Sequence, residues 1–274
     1  MPLDGYFRAV SEIRSVCVAS VKGGVAKTTT SFALLAAAAE RGMMAVGLDL
    51  DASRGLTKAL GIEGRTPTIL DVLTRRAKID DAVVHTQLGV FSVPGDRMLY
   101  RMGFQDEAMI RLFEEVSESA DLVIIDTHPG DNRLQVAFDL ADVIVVPTTL
   151  DRPSFRVVTD TLLLAEECGA LPRIGGILPS NFKPRNIPAA GKDLLHRLTK
   201  WEVVYGSFIP YAAAWEKALT DGTKPPAKNM KDAQELLDEV LSNRCDVANL
   251  RAFVDDLKHA SELPDEESEL EPAI

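Results

Sequence analysis

Lys22-Gly23-Gly24-Val25-Ala26-Lys27-Thr28-Thr29 stands between a β-branched run at 15–20 (SVCVAS) and an Ala/Leu-rich stretch at 27–41 that ends at Gly42. The order reads as strand, glycine turn and helix, with Gly42 where a helix is closed. A glycine turn at a strand end exposes successive backbone N–H groups. The helix behind it adds its N-terminal partial positive charge, and the two together hold phosphate oxygens. Lys27 is placed to reach β- and γ-phosphates, and Thr28 to offer its hydroxyl to Mg²⁺. The spacing departs from G-x-x-x-x-G-K-[ST]. Val21 and Ala26 occupy the two glycine places, and a second lysine, Lys22, precedes the paired glycines. The Cβ of Ala26 restricts the turn more than glycine would.

Outward from this segment, strands and helices alternate. Further strands are expected at 45–50 (AVGLDL), 88–93, 121–126 (DLVIID), 143–147 (VIVVP), 173–178 and 203–209. Helices are expected at 153–168, 211–219, 230–243 and 247–260, the first with Pro153 near its start, where proline is tolerated. Alternation of this kind implies an α/β fold, a doubly wound and mostly parallel sheet flanked by helices. The chain of 274 residues reads as an N-terminal extension (1–14), a single domain (15–260) and an acidic, disordered tail (261–274).

Two strand ends carry carboxylates. Asp49 and Asp51 close the second strand, and Asp126 closes 122–126 (LVIID). A carboxylate there faces the crevice where α/β sheets bind ligands and can hold Mg²⁺ through its waters. Thr127-His128-Pro129-Gly130 follows as a loop, in which His128 reads as a loop residue rather than a base.

The K-G-G-x-x-K-[ST] pattern resembles the deviant Walker A motif of the ParA/MinD ATPases. With the D-x-D at Asp49 and Asp51 and the Walker B strand ending at Asp126, the resemblance runs over about 15–241. It implies a homodimer that sandwiches ATP with Mg²⁺ and hydrolyses it to ADP and phosphate. Lys22 would reach the partner's phosphates. Asp51 would position the attacking water, Asp49 and Asp126 would support the metal with Thr28, and the loop Thr127-His128-Pro129-Gly130 would be switch-like. The nucleotide itself would lie on Lys22, Gly23, Gly24, Val25, Ala26, Lys27, Thr28 and Thr29, with Asn181 and Ile209-Pro210-Tyr211 near the adenine. The chain departs from the family at Ala52-Ser53-Arg54-Gly55, where P-Q-G-N is usual, and at His128, where proline is common.

Composition narrows the role. The net charge of −11 argues against a generic nucleic-acid binder, yet residues 183–231 hold nine Lys/Arg against four Asp/Glu. Lys183, Arg185, Lys192, Arg197, Lys200, Lys217, Lys224, Lys228 and Lys231 are therefore candidates for phosphate contacts with DNA. The tail has six acidic residues between Glu262 and Glu271 and no base, which anionic lipid would repel, so membrane recruitment through it is not expected. No apolar run reaches the roughly 18 residues of a membrane span, and the first residues, with Asp4 and Glu12, lack the apolar region of a secretory signal. Cys17, Cys168 and Cys245 have no metal-like spacing and read as structural thiols of a reducing cytosol. Only 14 residues precede the first strand, too few for a helix-turn-helix domain. Taken with these features, the resemblance implies a cytoplasmic, nucleoid-associated partition ATPase that binds DNA without sequence preference when loaded with ATP. A ParB-like centromere-binding adaptor would stimulate it. The alternatives are a positioning scaffold for another cargo with little hydrolysis, and a small-molecule ligase on the same fold.

Overall fold

A computed structural model describes residues 13–101, 106–130, 133–242 and 245–262. The chain runs β1 (Ser15–Val18), α1 (Lys27–Glu40), β2 (Ala45–Asp49), α2 (Gly55–Ala59), α3 (Ile69–Leu73), α4 (Ile79–Ala82), β3 (Val84–His85) and β4 (Phe91–Val93). It continues through α5 (Asp106–Ser119), β5 (Leu122–Asp126), α6 (Arg133–Leu140), β6 (Val143–Thr148), α7 (Ser154–Glu167) and β7 (Ile174–Pro179). It closes with α8 (Ala189–Lys200), α9 (Ala213–Asp221), α10 (Ala227–Ser242) and α11 (Val247–Glu262).

The sheet has the order β3-β4-β2-β5-β1-β6-β7. All neighbours are parallel except the edge pair β3–β4. The central strands are buried along their whole length, which is why SVCV, LVIID and VIVVPT read as continuous apolar runs rather than alternating ones. Successive side chains still point to opposite faces. Cys17 and Ile125 join a core under α5, α6, α7, α8 and α11, and Val16, Val18 and Ile124 join one under α1, α9 and α10. The chain leaves β1 for β2 on one side and later adds β6 and β7 on the other. The strand order therefore reverses at β1, and a ligand crevice is expected at its carboxyl end.

Most expected elements stand where the pattern put them. Gly42 does follow the first helix in the left-handed region, at φ 66°. One expected strand does not form. Residues 203–209 touch β7 only at two isolated bridges, Val204 to Ile177 and Ile209 to Ser180. Between them Gly206 and Ser207 turn away from the sheet, and the Ser207 N–H goes to Glu239 Oε2 at 3.0 Å instead. The strand expected at 88–93 shortens to β4, because Gly89 adopts φ 89° in the turn from β3. Helices α5, α6 and α8 and the short α2–α4 were not anticipated.

Ile13 and Arg14, assigned above to an extension, pack with the domain. Ile13 is buried, and Arg14 donates to Ser117 O and Ala120 O at 2.8 Å each. Residues 1–12 and most of the acidic tail (263–274) lie outside the described residues. The three cysteines are free thiols, Cys17 buried and the others half-buried. No helix among the described residues is long and apolar enough to cross a membrane.

Candidate functional site

The turn after β1 folds as a phosphate cradle. Gly24 (φ 79°) and Ala26 (φ 69°) both take left-handed backbone angles. For Ala26 this costs about 1–2 kcal/mol, a strain that the strand and helix on either side must hold in place. The backbone N–H groups of Gly23 through Thr29 make no hydrogen bond among the described residues. Unpaired N–H groups in one loop, at the start of a helix, suit a ligand that brings several acceptors. Thr30 is the first residue to bond back into the helix, to Ala26 O at 2.9 Å.

Lys27 is buried at 6% exposure and rests its Nζ on Lys22 O (2.8 Å) and Ser20 O (3.5 Å). Burial pulls its ammonium below the usual range, while Asp126 and Asp51 pull the other way. Lys22 is different. Its side chain is exposed, and its ammonium makes no hydrogen bond or ion pair among the described residues.

Asp126 is fully buried at the end of β5 and receives Thr28 Oγ1 at 2.8 Å and Ser31 Oγ at 3.0 Å. Burial, then the neighbouring Asp49, pushes its carboxyl well above the usual range, and the two hydroxyl donors offset part of this. Ser31 was not anticipated. It lies three residues after Thr28, which on a helix places both hydroxyls on one face, so the spacing held the signal.

Asp49, also fully buried, has its oxygens taken by Thr57 N (2.7 Å), Thr57 Oγ1 (2.6 Å) and Asp51 N (3.1 Å). Thr57 Oγ1 in turn accepts Gly95 N–H at 2.7 Å. Asp49 thus ties the ends of β2 and β4 to α2, and of the expected metal-site carboxylates it is Asp126 that touches Thr28. Asp51 lies on the cavity wall, where its Oδ1 meets Ser53 N (2.7 Å) and His128 Nδ1 (2.9 Å). Burial raises the Asp51 carboxyl, but the donors from His128 and Ser53 outweigh it and the net shift is downward.

Lys27, Thr28, Asp51 and His128 open onto one cavity of about 530 Å³. Gly23, Gly24, Ala26, Lys27, Thr28 and Thr29 line one end, and Asn181, Ile209, Pro210 and Tyr211 line the other. The residues expected near a base are therefore joined to the phosphate loop. Trp215, Glu216 and Leu219 of α9 complete that end and were not read from the sequence. Lys22 and Val25 border a second hollow with Thr149, Asp151 and Lys183. A nucleoside triphosphate with Mg²⁺ fits this arrangement. The loop supplies donors, and Thr28 and Asp126 supply hard oxygens. No cluster of three or more His, Cys, Asp or Glu stands ready to hold a metal alone among the described residues. That suits Mg²⁺, which binds through one or two protein oxygens and substrate phosphates.

The basic window is divided by the fold. Lys192, Arg197 and Lys200 ride on α8, whose Leu194 and Leu198 join one core. Lys217, Lys228 and Lys231 ride on α9 and α10, which pack into the other core across the sheet. Several of these charges are already engaged. Arg197 pairs with Asp193 (3.1 Å) and Asp256 (2.9 Å), Lys224 with Glu40 (2.7 Å) and Lys231 with Glu235 (3.6 Å). Lys183 stacks 5.3 Å from the Tyr211 ring centroid, and Lys200 4.8 Å from that of Trp201. Arg185, Lys192 and Lys217 make no ion pair among the described residues.

Known proteins place this architecture. An AAA domain family model matches residues 13–164. The chromosome partitioning protein ParA of Caulobacter vibrioides is 30% identical over 74% of this chain and 82% of its own. The septum site-determining protein MinD of Synechocystis is 31% identical over 68% of this chain and 72% of its own. Among solved structures, MinD of Pyrococcus horikoshii, complexed with Mg-ADP, superposes with a TM-score of 0.68 at 24% identity, covering 83% of this chain and 95% of that one. With the two-lysine loop, the strand-end aspartates and these relatives in agreement, the chain belongs to the ParA/MinD family of deviant Walker A ATPases.

Proposed function

We propose that this protein is an ATP-dependent dimeric switch that partitions plasmid or chromosomal DNA. The observation that carries the reading is the row of unpaired N–H groups from Gly23 to Thr29, set against Asp126 at the end of β5 and Asp51 in the turn after the neighbouring β2. Those N–H groups and Lys27 bind the phosphates of ATP. Thr28 and Asp126 would hold Mg²⁺, whose positive charge stabilises the transferring phosphoryl group. Asp51 orients the attacking water, and the exposed Lys22 is free to act on the nucleotide of a second copy.

Non-specific DNA binding in the ATP state is assigned to the loop after β7 and to α8, through Lys183, Arg185, Lys192 and Lys200. Arg185 and Lys192 support this, because both are exposed and make no ion pair among the described residues. A ParB-like adaptor stimulates hydrolysis, and the protein works on the nucleoid in the cytoplasm. The relatives named for chromosome partitioning support this cargo over a metabolite. The test is binding of random duplex with ATP, with ADP and without nucleotide over a salt series. ATP-dependent binding that weakens steeply with salt is expected. Binding that ignores nucleotide or salt would overturn the DNA assignment, and a chain that turns over ATP only with a metabolite would overturn the partition reading.

A further inference from the structure

Phosphate and metal binding leave one contact at the site unexplained. His128 lies in the loop after β5 and Asp51 in the turn after β2, and these strands are neighbours with Asp49 level with Asp126. The two loops therefore stand side by side at the cavity rim, and both residues line it. His128 Nδ1 approaches Asp51 Oδ1 at 2.9 Å, where the carboxylate also accepts the Ser53 N–H at 2.7 Å. An ionised carboxylate only accepts, so Nδ1 carries the hydrogen and donates. Asp51 is thus gripped from both sides, by its own turn and by the loop that follows Asp126. A carboxylate held only by its own turn keeps freedom about its last torsion. A second donor from another strand removes it.

We propose that His128 is a positioning residue for Asp51, locking the carboxylate in the orientation from which it directs the attacking water. The inference rests on the reading of Asp51 given above. His128 does not touch the reacting atoms in this scheme and acts through Asp51 alone. Because His128 is two residues beyond Asp126 on the switch-like loop, any shift of that loop moves the donor.

Steady-state ATP hydrolysis by the full chain tests this, with kcat and KM measured separately and ADP affinity as a folding control. His128→Ala should lower kcat about tenfold or more, since small misplacements of positioned groups are costly. KM and ADP affinity should stay within about twofold, as for interactions made only in the transition state. His128→Asn, whose amide N–H stands where Nδ1 does, should recover most of the loss. In the Asp51→Ala background, His128→Ala should cost nothing further, because the two act as one unit. An unimpaired His128→Ala beside an inactive Asp51→Ala would overturn this inference alone. So would a His128→Asn as slow as the alanine variant, multiplicative losses in the double variant, or a His128→Ala that loses ADP binding. A fully active Asp51→Ala would remove the Asp51 reading itself, and this inference with it.

Discussion

The phosphate loop and the basic window are both built from lysines, yet they teach opposite lessons. In the loop, the functional groups are consecutive in the chain. The N–H donors run from Gly23 to Thr29, and Lys27 sits on the first turn of the helix they open. In the window, basic residues near one another in sequence are carried on opposite faces of the sheet, and acids brought by tertiary packing pair with Arg197 and Lys224. A site made of neighbouring backbone groups survives translation into three dimensions. A charge count over a window does not.

The sharpest way to break the loop half of this contrast is Lys27→Ala. Removing one preorganised cation from a phosphoryl-transfer site costs about a hundredfold or more in rate, and ATP turnover with a nucleotide titration would measure it. An effect below tenfold would mean that the cradle does not depend on its buried lysine. Next in size is Gly55→Ala. A Cβ at Gly55 would lie 2.7 Å from Thr28 Oγ1, so the variant should lose about 1–3 kcal/mol by overpacking, or displace Thr28 and weaken Mg²⁺-dependent nucleotide binding. Thermal unfolding with and without Mg-ADP separates the two, and a neutral result in both would contradict the close packing of these turns.

The buried Asp126 carboxyl by itself predicts a pH effect of at most about 1.4 kcal/mol per pH unit. Burial, with Asp49 beside it, raises the Asp126 carboxyl in the folded state. The folded protein therefore holds this proton more tightly than the unfolded chain, whose carboxyl titrates at about 3.9. The group's contribution to stability is fully present below that value and is lost as pH rises through the raised folded value. Mg²⁺ favours the carboxylate and should flatten the slope. Denaturant midpoints against pH, in chelator and in Mg²⁺ with ADP, would show this, and Asp126→Asn should abolish the difference.

The smallest expected effect sharpens the window half. Replacing Lys192 or Lys200 with Ala should lower the salt slope of ATP-dependent DNA binding by about 0.9 for each phosphate no longer neutralised. Lys228→Ala, across the sheet, should leave it unchanged. Equal effects on both faces would restore the undivided window.

The legible parts share a physical reason. The strands 122–126 and 143–148 are buried on both sides, so they announce themselves as apolar runs. The helix after the loop is bounded by its own chemistry, down to Gly42. The strand expected at 203–209 failed because an apolar, β-branched segment needs a continuous ladder partner. At Gly206 and Ser207 the backbone finds Glu239 instead, a residue more than thirty positions away. The helix α5 was missed although it is amphipathic, with Ala108, Met109, Leu112 and Val116 buried. Its outer face is acidic, with Asp106, Glu107, Glu114, Glu115 and Glu118 exposed.

Of the site itself, the chain order alone determined the phosphate loop, the three aspartates at two strand ends and the family they belong to. Backbone donors, a helix start and a strand terminus are local properties. The tertiary structure decided which carboxylate meets which partner. Asp126 takes Thr28 and Ser31, Asp49 is absorbed by Thr57, and Asp51 is left to Ser53 and His128. The meeting of Asp126 with α1 and of Asp51 with His128 depends on strand register and on loops that come together only once β2, β5 and β1 lie side by side. The Asp51–Ser53 turn and the shared helix face of Thr28 and Ser31 are local, but which carboxylate they serve is not written in the spacing.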